Sequence, residues 1–204
     1  MPLPNKAPGE RYHYADLMTT SEDERIELIK GVPFTRTTPV IHQIVLGELF
    51  LPIANYLRKH PEEGEVFFGP LGVRPFEKEC DNQEDVDTVL EPDLTVICDK
   101  SKLDQAGCKG APDMIAEILA PCTMWNDCFV KYRVYEAAGV REYWIVDPDR
   151  HTVSVYKLEN GHYSTEKLYL ENDSAPVGVL KDCKVDLYPV FTEWDRIKGI
   201  TNPL

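Results

Sequence analysis

Two acidic residues stand where carboxylates are rare. Asp93 follows Pro92 and opens the apolar run Leu94-Thr95-Val96-Ile97, and Glu117 lies inside the run from Met114 to Leu119. An ionised carboxylate in a buried strand costs several kcal/mol, so Glu117 must be neutralised, paired with a cation or bound to a metal. On an extended strand Ile115, Glu117 and Leu119 share one face, and Met114, Ala116 and Ile118 the other. If the strand from Leu94 pairs alongside, Asp93 and Glu117 converge at the sheet edge and offer hard oxygen ligands to one divalent ion. One short loop later Asp127, Lys131 and Tyr135 follow at i, i+4 and i+8, a polar ridge on a helix. A lysine there can reach the same metal-bound water or the phosphate it attacks. Each feature also has a plain structural reading. Asp-x-x-x-Lys is a common surface ion pair worth roughly 0.3 to 0.5 kcal/mol, Glu117 can be paired with Lys131 for structure alone, and Asp93 after proline is a common turn residue.

These residues need a frame. Ser21 followed three residues later by Glu24 is a capping box, which predicts a short helix from Ser21 to about Ile29 with Gly31 as its stop. Ile41, Val45, Leu49, Ile53, Ala54 and Leu57 predict a second helix from about Pro39 to Lys59, with Pro52 a candidate kink. Residues 64–77 read as a strand pair broken by Gly69-Pro70, and Leu94 to Ile97 and Met114 to Leu119 as buried strands. A helix follows, capped by Thr123 or Asn126 and ended by Gly139, with Trp125, Phe129, Tyr132, Tyr135 and Ala138 as its apolar stripe. Strands at Glu142 to Val146, Thr152 to Leu158 and Tyr163 to Leu170 are joined by Asp147-Pro148-Asp149 and Asn160-Gly161 turns. One short helix is expected near Thr192. There is no internal repeat and no low-complexity linker, so a single domain over residues 1–204, with its core at about 21–170, is expected.

Composition narrows the class. At 43% hydrophobic and 28% charged, the 204-residue chain can build one sizeable core. A net charge of −13 excludes the strongly basic profile of a passive nucleic-acid coating protein. Residues 77–93 hold eight acids and one lysine, −7 of that charge, and read as a solvated loop, so any contact with DNA has to be local. Six dispersed cysteines without a CxxC pair argue against a zinc ribbon and read as reduced thiols, and five scattered histidines nominate no zinc site. No uncharged apolar run reaches membrane-span length and the N-terminus has no signal-peptide core, so a cytoplasmic protein with no membrane partner is expected.

The run from Glu91 to Tyr163, with EPDLTVI, GAPDMIAEILAPCT, the Asp127-x-x-x-Lys131-x-x-x-Tyr135 helix and GVREYWIVDPDRHTVSVYKLENGHY, resembles the Uma family of putative restriction endonucleases within the PD-(D/E)XK nuclease superfamily. Upstream, Glu27-Leu28-Ile29-Lys30-Gly31 and His42 resemble its N-terminal segment and helical histidine, so the resemblance spans nearly the whole chain. It implies an α/β fold with a restriction-endonuclease-like core, a mixed β-sheet flanked by helices, and C-terminal β-hairpin strands. It also implies a Mg²⁺-dependent phosphodiesterase site, with Mn²⁺ able to substitute. Asp93 and Glu117 would hold the metal. Lys131 would stand in for the superfamily lysine, which usually lies two residues after the acid, where this chain has Leu119. Glu27 resembles an acidic residue contributed from the first helix, and Lys131 with Tyr135 has the spacing of the Gln-x-x-x-Tyr motif of related nucleases. His42 reads as a satisfied polar residue, a phosphate contact or a partner of a metal ligand. Two departures stand out. The family's Ser-Pro-Ser-Thr is Ala120-Pro121-Cys122-Thr123 here, which removes two hydroxyls beside the metal, and its usual Asp before the first glycine is Lys30.

The expected activity is hydrolysis of DNA phosphodiester bonds by Asp93, Glu117 and Lys131, with Glu27, His42, Asp127 and Tyr135 as accessory residues. A homodimer is expected, since double-strand cleavage needs two sites and a two-fold axis matches duplex symmetry. The alternatives are a non-catalytic binding or regulatory protein on the nuclease fold, and a cysteine hydrolase using Cys122 at a helix N-terminus.

Overall fold

Alternation along Met114–Ile118 sorts its side chains onto two faces. Met114, Ala116 and Ile118 pack in one core with Val45, Leu49 and Ile53, and Ile115 packs in a second with Val134, Tyr135 and Tyr143. Each such aliphatic side chain contributes roughly 1.5–3 kcal/mol on burial. Glu117, on the Ile115 face, is thereby directed toward the helix that carries Val134 and Tyr135.

The structure, a computed structural model, describes residues 3–4, 6–7, 9–20, 26–35, 39–78, 82–120, 124–164 and 167–201. In chain order the elements are α1 (Tyr14–Leu17), β1 (Ile26–Ile29), β2 (Val32–Thr35), α2 (Val40–Lys59), β3 (Glu65–Phe68), β4 (Val73–Arg74), β5 (Leu94–Ile97), β6 (Leu103–Asp104), β7 (Gly107–Lys109) and β8 (Met114–Ile118). A π-helical segment, Asn126–Lys131, then runs into α3 (Tyr132–Ala138). There follow β9 (Glu142–Asp147), β10 (Thr152–Glu159), β11 (His162–Tyr163), β12 (Lys167–Leu170), β13 (Ser174–Pro176), β14 (Lys184–Asp186) and α4 (Leu187–Thr201).

The main sheet has the order β11-β10-β9-β8-β5-β3, with β12 also paired to β10. β8 and β9 are parallel and joined across α3, while the other pairings are antiparallel, so the sheet is mixed. α2 and α4 cover one face and α3 the other. β9 to β12 and the β13–β14 pair form the C-terminal hairpins. This is the α/β arrangement expected from the sequence. α2 is the one described helix long and apolar enough to cross a bilayer, and it buries Val45, Leu49, Ile53 and Leu57 in the main core.

Several local expectations are corrected. Ile26–Ile29 is strand, not helix: it pairs with β2 through a two-residue turn in which Lys30 (φ 49°) and Gly31 (φ 73°) are both left-handed, the twist that suits a tight hairpin. The proposed capping pair Ser21 and Glu24 lies outside the described residues. β3 and β4 do not pair with each other but with β5 and β7. Val86, Thr88, Val89 and Leu90, within the acidic run, are buried, and Leu28 and Val73 bridge to Val89 and Leu90, so that half is not a solvated loop. Trp125 and Phe129 are exposed, their ring centroids 4.4 Å apart, and it is Asp127 and Lys131 that turn inward. The short helix expected near Thr192 is longer, fifteen residues from Leu187 to Thr201. Cys98, Cys108, Cys128 and Cys183 are free thiols, and Cys80, Cys122 and Thr123 lie outside the described residues.

Candidate active site

β5 and β8 are interior neighbours, so Asp93 and Glu117 lie toward strand ends within the sheet rather than at its edge. Their register pairs Leu94 with Ala116, and one step further sets Asp93 across from Glu117. β5 has ended there, and the residue that would next face Ile118 is Pro92. The Asp93 carboxylate takes over the ladder: its Oδ2 accepts the Ile118 N–H at 2.8 Å. His42 Nε2 of α2 lies 2.8 Å from the same oxygen. Asp93 is thus held from the sheet and from the α2 layer together.

Glu117 is fully buried, and its Oε1 accepts from Lys131 Nζ at 2.9 Å and from the Tyr135 hydroxyl at 2.8 Å. Lys131 Nζ also donates to Glu27 Oε1 at 2.9 Å and lies 3.5 Å from Asp127 Oδ1. Glu27 Oε1 in turn accepts the Glu91 N–H at 2.8 Å. The ammonium therefore ties β1, β8 and the helix together, and the polar ridge foreseen on that helix faces inward. Burying one lysine among carboxylates is tolerated because the ammonium is shared among them, whereas removing a member of such a set strands the rest.

Tyrosines complete the packing around the charges. Burial, reinforced by the negative Glu117 and Glu27, holds the Tyr135 hydroxyl well above its ordinary pKa, so it stays a neutral donor to Glu117. Tyr143, raised by burial and by the negative Glu117 and Asp127, donates to the backbone carbonyl of Asp127 at 2.9 Å within the π-helical segment. Sequence reasoning missed Tyr143, the Glu91 N–H and the Ile118 N–H. The inward parity of Tyr143 on β9 was the available signal for the first, and backbone donors leave none.

The seven residues singled out from sequence thus fall into two joined groups. Asp93 and His42 form one, and Glu117, Glu27, Lys131, Asp127 and Tyr135 the other, with Ile118 next to Glu117 linking them. The donor chemistry fits Mg²⁺. A carboxylate offers about four lone-pair sites on two oxygens, and Mg²⁺ is commonly held by one or two carboxylates, with water and substrate phosphates completing its shell. Among the described residues the one cluster of three metal-capable side chains with ligand atoms within 4.8 Å of one another lies elsewhere, at His60, Glu62 and Glu63.

A mixed sheet flanked by helices on both faces makes this an α/β domain of nuclease-like fold. Residues 10–186 match the Uma2 family, described as putative restriction endonuclease, and the chain belongs to that family. The fold is also similar to that in the crystal structure of a putative nuclease belonging to DUF820 from Anabaena variabilis. The TM-score is 0.68 at 19% identity, covering 88% of this chain and 97% of that one. No curated protein sequence matches the chain.

Proposed function

We propose that this protein is a divalent-metal-dependent endonuclease that hydrolyses DNA phosphodiester bonds, with Asp93 and Glu117 as metal ligands and Lys131 as the catalytic cation. The observation that carries the reading is the placement of the Lys131 ammonium 2.9 Å from Glu117, while Asp93 is anchored across the strand pair. When bound, Mg²⁺ or Mn²⁺ would supply Lewis acidity, lowering the pKa of a water and polarising a phosphate. The protein's own groups do the positioning. Ile118 N–H and His42 fix one oxygen of Asp93, and Lys131 and Tyr135 fix one oxygen of Glu117, so both carboxylates that would hold the ion are oriented by protein groups. Lys131, held beside Glu117, offsets negative charge that develops on the phosphate. Tyr135 cannot serve as a base while its hydroxyl remains protonated. A homodimer would bring two such sites to the two strands of a duplex.

A second reading, a binding protein that keeps the nuclease fold, is favoured by one observation: Glu117, Asp127 and Lys131 are all closed off from solvent. Conversion of supercoiled plasmid to nicked and linear forms separates the two. The nuclease reading expects conversion with Mg²⁺ or Mn²⁺, none with chelator, and none for Glu117→Gln. Metal-independent conversion, or the same rate in Glu117→Gln, overturns it.

A further inference from the structure

Glu27 sits directly across from Phe34 in the β1–β2 hairpin, and Val130 immediately precedes Lys131. Ile29, Phe34 and Val130 line a cleft of about 590 Å³ between that hairpin and the π-helical segment, so its walls come from the strand and helix that carry Glu27 and Lys131. Two exposed cations, Arg11 and Lys30, stand along it, with Glu10 as the one acidic side chain in its lining.

The pairing of those cations is built into the backbone. Lys30 and Gly31 form the hairpin turn, and the chain at Arg11–Tyr12 packs on it: Tyr12 N–H donates to Gly31 O at 2.9 Å and Arg11 Nη1 to Lys30 O at 2.9 Å. A Cβ at residue 31 would lie 2.6 Å from the Arg11 Cβ, so glycine allows the close approach as well as the turn. In a chain of net charge −13, two exposed cations on segments hydrogen-bonded to each other form a local basic feature suited to a polyanion.

We propose that this cleft receives the phosphodiester backbone of the DNA strand flanking the bond to be cut, with Arg11 and Lys30 meeting its phosphates and Phe34 and Val130 packing against the attached nucleotide. A guanidinium can meet a phosphate with two parallel N–H donors and an ammonium as a point charge. The location of the cut bond rests on the nuclease reading, but the strand contact is measurable without cleavage.

The experiment is fluorescence anisotropy of a labelled DNA duplex across a salt series, with Ca²⁺ in place of Mg²⁺ so that binding is read apart from cutting. It compares the wild type with Arg11→Gln, Lys30→Gln and a control at the exposed Lys184, Lys184→Gln. Losing one phosphate contact should weaken binding roughly three- to tenfold and flatten the slope of log K against log salt by about 0.9 for each cation, with the control unchanged. Lys30→Gln retains the carbonyl that Arg11 bonds, and matching unfolding midpoints confirm that both variants fold. Wild-type affinity and slope in both variants, or no binding by the wild type, overturns the inference. Loss of binding in the variants of a protein that never cuts plasmid leaves it standing and removes the nuclease reading instead.

Discussion

Lys131 Nζ stands 2.9 Å from Glu117 Oε1, and both side chains are buried. Replacing the lysine leaves Glu27, Glu117 and Asp127 without their shared cation. Lys131→Met is therefore expected to lower stability by about 3–5 kcal/mol, far more than a surface ion pair would. Adding Glu117→Gln to that background should regain part of the loss, because one stranded charge is gone. Urea unfolding of the two single variants and the double measures this coupling, and additive losses would contradict it.

Tyr135 donates to the same oxygen of Glu117 at 2.8 Å. Tyr135→Phe removes a hydrogen bond to a charged acceptor and should cost roughly 1.5–3 kcal/mol while keeping the fold. Because burial and nearby negative charge raise its pKa well above 10.0, Tyr135 should remain un-ionised when exposed tyrosines titrate. Ultraviolet phenolate titration of wild type and Tyr135→Phe checks this. Loss of a phenol from the ordinary alkaline step in the variant would show that the hydroxyl is not held as described.

Glu142 supplies a pH dependence remote from the candidate site. It is buried against Trp144, whose indole Nε1–H donates to it at 2.6 Å, and burial raises its pKa above 4.5. A raised folded-state pKa means that the native state favours the proton. Its stabilising contribution is full below the unfolded value near 4.5 and is lost as pH rises through the folded value. Glu142→Gln should abolish that decline and be the more stable form at neutral pH. Chemical unfolding at a series of pH values measures the difference, and parallel profiles would contradict the sign.

Divalent metal should stabilise the protein through Asp93 and Glu117. At about 10 mM Mg²⁺ and a Kd of about 1 mM the gain is on the order of 1.4 kcal/mol, which raises Tm by roughly 3 to 5 °C for a chain of this size. Asp93→Asn keeps an oxygen for the Ile118 N–H but removes a charge. It should be nearly unresponsive to added metal. Equal metal shifts in both proteins, read by thermal unfolding, would place the binding elsewhere.

The part of this site that could be read from sequence is the part governed by short-range geometry. Strand alternation places Glu117 on the Ile115 face, and helical spacing groups Asp127, Lys131 and Tyr135 whichever way the helix turns. That spacing does not say which face is inward, so Trp125 and Phe129 were expected in the core although they are exposed. Glu27 was expected on a helix because the Ser21–Glu24 pattern suggests a cap. Lys30-Gly31 lacks the Asn or Asp that usually marks a hairpin turn, so the strands either side were not evident. The His42–Asp93 contact joins residues 51 apart and depends on how α2 crosses the sheet, which no local pattern encodes.

Crystals of the protein soaked in Mn²⁺ test the metal assignment most directly, because anomalous scattering locates the ion without reference to activity. The proposed site predicts one peak bonded to an oxygen of Asp93 and an oxygen of Glu117, with Lys131 still paired to Glu117. A peak confined to His60, Glu62 and Glu63, or anomalous density absent from the Asp93–Glu117 pair at saturating Mn²⁺, would contradict it.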